Sequence, residues 1–436
     1  VRFRDLRRNW IAASGAVTLL AALAGCGSGS ADGSVTITFL NPHAGAYDAV
    51  IAQFEQRNPG IKVEQQSVPF DQLVSQTQAR LASGDTSIDV LSVDPPRLAG
   101  MVAQGFLTDE SSHQAQLDTA ASAVGISSVT VHGRPYAYPL WTSDNFLLYN
   151  KDILAKAGVA TPGATDADRL TWEQVLDAAR RAVGSGAARY GFGIEQIDRY
   201  YALQPMLLSM GAGSGLQGDE NLTPAVNTPQ WRQFGQWYAD LHNSGLAPRG
   251  ISPEQMPALF SSGQVAFLVS GPSSLGKFAK SGLAGHWGIA PLPHFANEPV
   301  VTPTDSWAVG ISALSEHQDA ARRFVQFMTL DTAGAVASSR TMNLPPVNKA
   351  ALPAYLDYLH RIAPAETASL GDLLAVDGAR YARHRPTSVG YVQFETTMNK
   401  AFTDIRNGGD VATVLSSAQS TLDRQLARQR ELTGTH

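Results

Sequence analysis

The chain of 436 residues has a single cysteine, Cys26, so it can form no intrachain disulfide. Beyond the first 25 residues no stretch of 18 uninterrupted apolar residues occurs, which removes a further membrane-spanning helix. Basic charge is scarce. Setting residues 1–25 aside takes four arginines and one aspartate from the 33 basic and 38 acidic side chains, leaving 29 against 37 and a net charge of −8. That balance argues against nucleic acid and an anionic membrane face as partners, because both call for clustered lysine and arginine. There is no H-E-x-x-H, no G-x-S-x-G, and no cysteine or histidine cluster that would serve a metal or a nucleophile. No cofactor and no metal site are expected.

One phosphate-binding pattern is present and incomplete. Gly271-Pro272-Ser273-Ser274-Leu275-Gly276-Lys277 fits G-x-x-x-x-G-K, but Phe278 stands where a Mg²⁺-holding hydroxyl belongs. Pro272 also removes one backbone N–H that would wrap the phosphates. At the N-terminus, Arg2, Arg4, Arg7 and Arg8 precede an apolar run of 14 residues, Ile11 to Ala24, that is too short to span a bilayer. Leu23-Ala24-Gly25-Cys26 resembles the lipobox of bacterial lipoproteins, which implies a signal peptide over 1–25 and a lipid on Cys26. The Gly/Ser-rich segment 26–34 then reads as a tether. An exported chain meets little ATP, so the P-loop spacing loses its substrate as well.

Strand and helix patterns alternate through the remainder. "SVTITFL" (34–40), "IKVEQQSV" (61–68) and "IDVLSVD" (88–94) read as strands; 46–58 and 70–84 read as helices. Later, 171–184 is an amphipathic helix with Thr171 and Gln174 as a capping box, 189–195 a strand, and 229–245 a helix with Phe234, Trp237, Tyr238 and Leu241 on its core stripe. The G-x-G-x-x-G within 211–218 is followed by Asp219-Glu220-Asn221 and reads as a loop. The fold class is α/β, with largely parallel sheets covered by helices, and its length suits two cores. Ligands of such sheets sit at the carboxyl ends of strands, which nominates Asn41, His43 and Asp94.

"FEQRNPGIKVE" (54–64), "GDTSIDVLSVDPPRLAGMVAQGFLTD" (84–109), "GRPYAYPLWTSDNFLLYNKDILAKAGV" (133–159) followed by "TWEQV", and "ALFSSGQVAFLVSGPSSLGKF" (258–278) carry a family likeness. From about residue 35 to 420 the chain resembles the extracellular solute-binding lipoproteins of ABC sugar importers. The resemblance implies a two-lobe, hinged fold of the type II periplasmic-binding-protein kind. Lobe one is expected from 35–142 with 302–348, and lobe two from 143–301 with 349–436. It also implies a carbohydrate ligand, an ABC permease as partner, a monomer, and a lipid anchor on the outer face of the cytoplasmic membrane. In this family the 258–278 stretch turns a strand into a helix beneath the sugar, so Gly271, Pro272 and Ser273 become ligand-loop residues; Ser273 stands where many members carry Trp.

Sugars offer paired hydroxyl donors and acceptors above apolar C–H faces, which carboxylates, amides and aromatic rings match. Trp141, Asp144 and Asn145 supply all three types at the first expected crossover, and Asp305 and Trp307 at the second. Glu195 and Gln196 end a strand, with Tyr200 a turn further on; Asn343 and Arg385 complete the candidate set. The acids Asp94, Asp144, Glu195 and Asp305 against one plausible arginine favour a neutral or amino sugar; the chain also resembles a mycobacterial-type member described as binding amino sugars. An exported glycoside-active enzyme using paired carboxylates is the alternative. A structural envelope lipoprotein is a third possibility and requires no cleft.

Overall fold

In the computed structural model, residues 34–433 are described; the signal segment 1–25, Cys26 and most of the 26–34 tether lie outside them. The first sheet starts from Val35–Asn41, whose β-branched alternation buries Ile37 and Phe39 completely. It pairs in parallel with Ile61–Ser67 on one side and Val90–Val93 on the other. Two later strands complete it: Ala308–Ile311, antiparallel to Val90–Val93, and then Tyr138–Pro139. One face packs on the helices Asp48–Arg57 and Gln318–Thr329 through Val50, Phe54, Phe324 and Met328. The other face is covered by Phe70–Ala82 and Leu98–Ala103 through Leu73, Leu81, Leu98 and Met101.

The second sheet runs in the order Trp287–Pro291, Phe146–Asn150, Val265–Ser270, Tyr190–Ile194. It too is buried on both faces. Helices Trp172–Gly184, Pro229–Asn243 and Tyr391–Arg406 cover one side, and Leu352–Ile362 and Leu370–Val376 the other. The Thr171 hydroxyl accepts from the Gln174 N–H and the Gln174 side chain accepts from the Thr171 N–H, a reciprocal cap worth about 1 kcal/mol. It starts a helix that carries the fully buried Trp172 into the core.

This sheet is mixed rather than largely parallel. Phe146–Asn150 is antiparallel to both neighbours, Val265–Ser270 and Trp287–Pro291. The reason is where the chain enters. Strands such as Tyr190–Ile194 and Val265–Ser270 run toward the space between the sheets and end there, whereas Phe146–Asn150 starts from a crossing segment and runs away from it. Ala308–Ile311 leaves the same space in the first sheet and is antiparallel for the same reason.

Three crossing segments lie side by side between the sheets. The Thr142 N–H donates to Pro345 O (2.9 Å), the Ser143 N–H to Thr304 O (3.0 Å), and the Thr142 hydroxyl to Thr304 O (2.7 Å). The Ser143 hydroxyl donates to Asp305 O (2.7 Å). A short ladder of this kind holds two sheets in register while leaving few backbone torsions to bend, which suits a hinge.

Candidate functional site

Beside these crossings lies a cavity of about 440 Å³, walled by strand ends of both sheets. Asp94 follows the first sheet's strand Val90–Val93, and Trp307 precedes its strand Ala308–Ile311. From the second sheet come Asn145, Glu195 with Gln196, and Gly271-Pro272-Ser273. Asp144, Asp305 and Arg385 line it as well. Gly271 sits where a Cβ would come within 3.1 Å of Asp144 O, so the loop approaches the crossing segment closely and a side chain there would press on it. Lys277 is exposed and one turn beyond this loop.

Five of the candidates lie elsewhere. Trp141 is 2 % exposed, stacks on Tyr47 (6.2 Å) and donates its indole N–H to Ser338 O, a core role. Tyr200 is fully buried against Phe394 and donates its hydroxyl to Ser214 O; the next residue, Tyr201, and Gln204 face the cavity instead. Residues 200–209 are one helix, so a one-residue step turns a side chain by about 100° from core to cavity. Asn41 is buried and folds its own turn, its Oδ1 accepting from the His43 N–H (2.9 Å). His43 packs edge-on against Trp307 (6.1 Å) and backs the cavity wall; burial lowers its pKa. Asn343 ends the helix Thr332–Met342 in the left-handed conformation (φ 53°) and donates to Pro272 O (3.0 Å), so it braces the 271–273 loop from behind.

The acids of the cavity are not equivalent. Arg385 is 8 % exposed; its Nη2 donates to Asp94 Oδ1 (2.6 Å), and its Nε lies 3.6 Å from Asp305 Oδ2. Burial works against its charge, but the carboxylates of Asp94, Asp305 and Glu395 outweigh that and raise its pKa well above the usual value. Arg97 bridges Asp94 (3.4 Å) and Glu395, joining the first sheet's loop to the helix Tyr391–Arg406 of the other side.

Asp144 is 3 % exposed and meets the carboxyl of Asp377; burial and then that neighbouring charge push its pKa well up. Asp377 also rises through burial, against the pull of Arg169 at 2.5 Å. Asp377 Oδ2 has no other donor within the described protein, so a proton on Asp144 satisfies both groups. Glu195 is different again: its oxygens accept from the hydroxyls of Ser270 and Ser274 (2.6 Å for the latter).

Composition suggested several acids against one arginine. The structure corrects this, since Arg97, Arg199 and Arg383 line the cavity beside Arg385. Sequence reasoning also missed Phe70, Gln78, Glu395, Thr396 and Asn399. Phe70 is 46 % exposed and edge-on to Trp307 (5.9 Å), giving the cavity an aromatic corner. A large apolar side chain opening a helix beside a strand end is a legible signal for Phe70, and Arg97 lies three residues after Asp94. The last three come from a helix some 300 residues later in the chain, with no local signal.

Comparison with known proteins agrees with this architecture. The sequence profile of the bacterial extracellular solute-binding protein family matches residues 41–335. A mannitol-binding protein of Pseudomonas aeruginosa is 25% identical over 397 residues, covering 87% of each chain. A binding protein of Brucella abortus is 24% identical over 276 residues, spanning 59% of this chain and 62% of its own length. Among solved structures, an ABC substrate-binding protein from Listeria monocytogenes in complex with cycloalternan superposes with a TM-score of 0.76 at 20% identity, covering 90% of this chain and 99% of that one.

Proposed function

Because the chain belongs to the bacterial extracellular solute-binding protein family, we propose that it captures a carbohydrate between its two sheets and delivers it to an ABC permease. The observation that carries this reading is the wall of the cavity. Strand ends from both sheets supply carboxylates, amides and hydroxyls beside the Phe70–Trp307 corner, which together match hydroxyls and a C–H face. Relatives named for mannitol and bound to cycloalternan take polyhydroxylated ligands of the same chemistry.

The ligand is a neutral or an amino sugar. Of the four arginines that line the cavity, Arg97 and Arg385 are engaged by carboxylates, which leaves those two without a free face for a phosphate. Glu195, met by serine hydroxyls, is the carboxylate best disposed to take a hydroxyl or an ammonium from the ligand. A thermal-shift screen of polyols, single sugars, amino sugars, oligosaccharides and sugar phosphates tests this. Stabilisation by the first four classes is expected, and stabilisation by sugar phosphates alone overturns it. Oligosaccharide recovered intact after incubation supports binding without turnover, whereas cleavage products identify an enzyme.

Anchoring through Cys26 belongs to the same reading: lipoproteins of this kind hold the outer face of the membrane by several acyl chains. Cys26→Ala is expected to release the protein from the membrane fraction on cell fractionation. Retention equal to the parent overturns the anchor.

A further inference from the structure

Four charged side chains meet where the two halves of the molecule face each other over the cavity, two from each half and alternating in sign. Asp94 and Arg97 come from the first half, beyond the strand Val90–Val93. Pro95 and Pro96 lie in a 3₁₀ turn between them, closed by the Arg97 N–H on Asp94 O (2.9 Å), and side chains three apart in such a turn share a face. Arg97 Nε accordingly lies 3.4 Å from Asp94 Oδ2. Arg385 and Glu395 come from the second half. The Arg385 backbone N–H donates to Asp305 Oδ2 (2.6 Å), and Glu395 follows Tyr391 by one helical turn, where the Tyr391 hydroxyl donates to Glu395 Oε1 (3.3 Å). Arg385 Nη1 then lies 3.9 Å from Glu395 Oε1. Each half thus carries an ion pair of its own. Across the cavity the partners exchange: Arg385 Nη2 donates to Asp94 Oδ1 (2.6 Å), and Arg97 Nη2 donates to Glu395 Oε2. At the outer rim His132 Nε2 lies 3.0 Å from Glu220 Oε1, so the halves also meet away from the quartet.

We propose that Asp94, Arg97, Arg385 and Glu395 form a charge clamp that holds the two halves together over the cavity, so that retention of a solute depends on charges of the protein even where the solute carries none. When the halves part, Asp94 stays with Arg97, and Arg385 stays with Glu395 and Asp305, so no ion is left alone. When they meet, each cation gains the acid opposite. The cost of stripping water from four mostly buried charges offsets much of that added attraction, which keeps the clamp releasable. Alternation of sign also fixes how the halves meet, since a slip by one charge would set acid against acid and cation against cation. Arg97 and Glu395 act on the ligand through the placement of the halves and are positioning residues in that sense.

The clamp is read from these contacts, whereas its effect on a sugar rests on the cavity being the carbohydrate site, and the test keeps the two apart. In the chain carrying Cys26→Ser, spin labels on Gln104→Cys and Gln217→Cys, both exposed and one on each half, report the separation of the halves. The parent is expected to show a short separation in dilute buffer. A longer one should be added in about 1 M salt, where the Debye length is about 3 Å and charges that have parted are screened. Arg97→Glu puts a third acid beside Asp94 and Glu395 and is expected to move the population to the longer separation. Combining it with Glu395→Arg restores opposite signs across the cavity and should bring the short separation back. A parent without the short separation, a single variant that matches the parent, or a double variant as open as the single one overturns the clamp. Should a variant fail to fold, the parent's response to salt decides, and no lengthening there overturns the clamp. With glucose or mannitol bound, release from Arg97→Glu is expected to be roughly tenfold faster than from the parent and to slow again in the double variant. Equal release from parent and single variant overturns the proposal. Failure of every sugar in the thermal-shift panel overturns the carbohydrate reading and leaves the label separations to decide the clamp.

Discussion

Around Arg385, the carboxylates of Asp94, Asp305 and Glu395 converge on one buried guanidinium, with Arg97 as a second cation. Around Asp144, two carboxyls face each other and Arg169 reaches only the farther one, Asp377. Both clusters line or adjoin the same cavity, and both are out of bulk water. The first solves the burial of acid by opposite charge, and the second by keeping a proton. An acid in such a site is available to a ligand only when neither solution has already claimed it. Glu195, held by two serine hydroxyls, is in that position.

The comparison is broken most severely at its centre. Arg385→Ala leaves Asp94 and Asp305 buried with less counter-charge, and the expected loss is about 3–5 kcal/mol of stability in urea unfolding at neutral pH. A loss below 1 kcal/mol would mean that the cluster is better hydrated than its burial indicates.

Glu195→Gln keeps the shape and removes the charge. Sugar affinity should fall by about 1.5–3 kcal/mol, or roughly 10- to 150-fold, with the fold unchanged. Calorimetry measures it, and full affinity in the variant would move the ligand's contacts to another acid.

Asp144→Asn separates the two solutions by pH. The native pKa of Asp144 is raised above its ordinary value of 3.8, so the folded state binds the extra proton more readily than the unfolded chain. Its contribution is complete below about pH 3.8 and is lost as pH rises through the raised native value. The variant cannot lose a proton there. It should therefore equal or exceed the parent at pH 7, by about 1 kcal/mol at most, and show a flatter stability profile above pH 4. A destabilised variant with an unchanged profile would argue against the shared proton. Sugar binding should suffer less than in Glu195→Gln.

Lys277→Ala is the mildest change. The side chain is exposed beyond the 271–273 loop, so stability should move by no more than about 0.5 kcal/mol and sugar affinity not at all. ATP with Mg²⁺ should bind neither form; tight nucleotide binding lost in the variant would restore the phosphate-cradle reading of Gly271–Lys277.

Periodicity located the elements well because burial on one face imposes it locally. Val50, Ile51 and Phe54 mark one helix, and Thr171 with Gln174 caps another where the chain spelled it out. Strand ends were informative for the same reason, and Asp94, Glu195, Gly271 and Asp305 reach the cavity. Residue type alone was a poorer guide. Trp141 and Tyr200 look like sugar platforms, yet a core of this size also needs large aromatics, and the direction in which each faces depends on neighbours far along the chain.

By itself, then, the sequence determined the strands and helices, the export signal as an expectation, and which strand ends carry polar side chains. These depend on contacts within a few residues, where hydrophobic period and capping decide the outcome. Tertiary structure alone decided the direction of Phe146–Asn150, the turning of Tyr200 inward and Tyr201 outward, and the state of each acid. Asp94 meets Arg385 across 291 positions, and Asp144 meets Asp377 across more than 200. Charge availability is a property of the assembled neighbourhood, because an ion pair or a shared proton exists only once distant segments are brought within hydrogen-bonding distance and out of water.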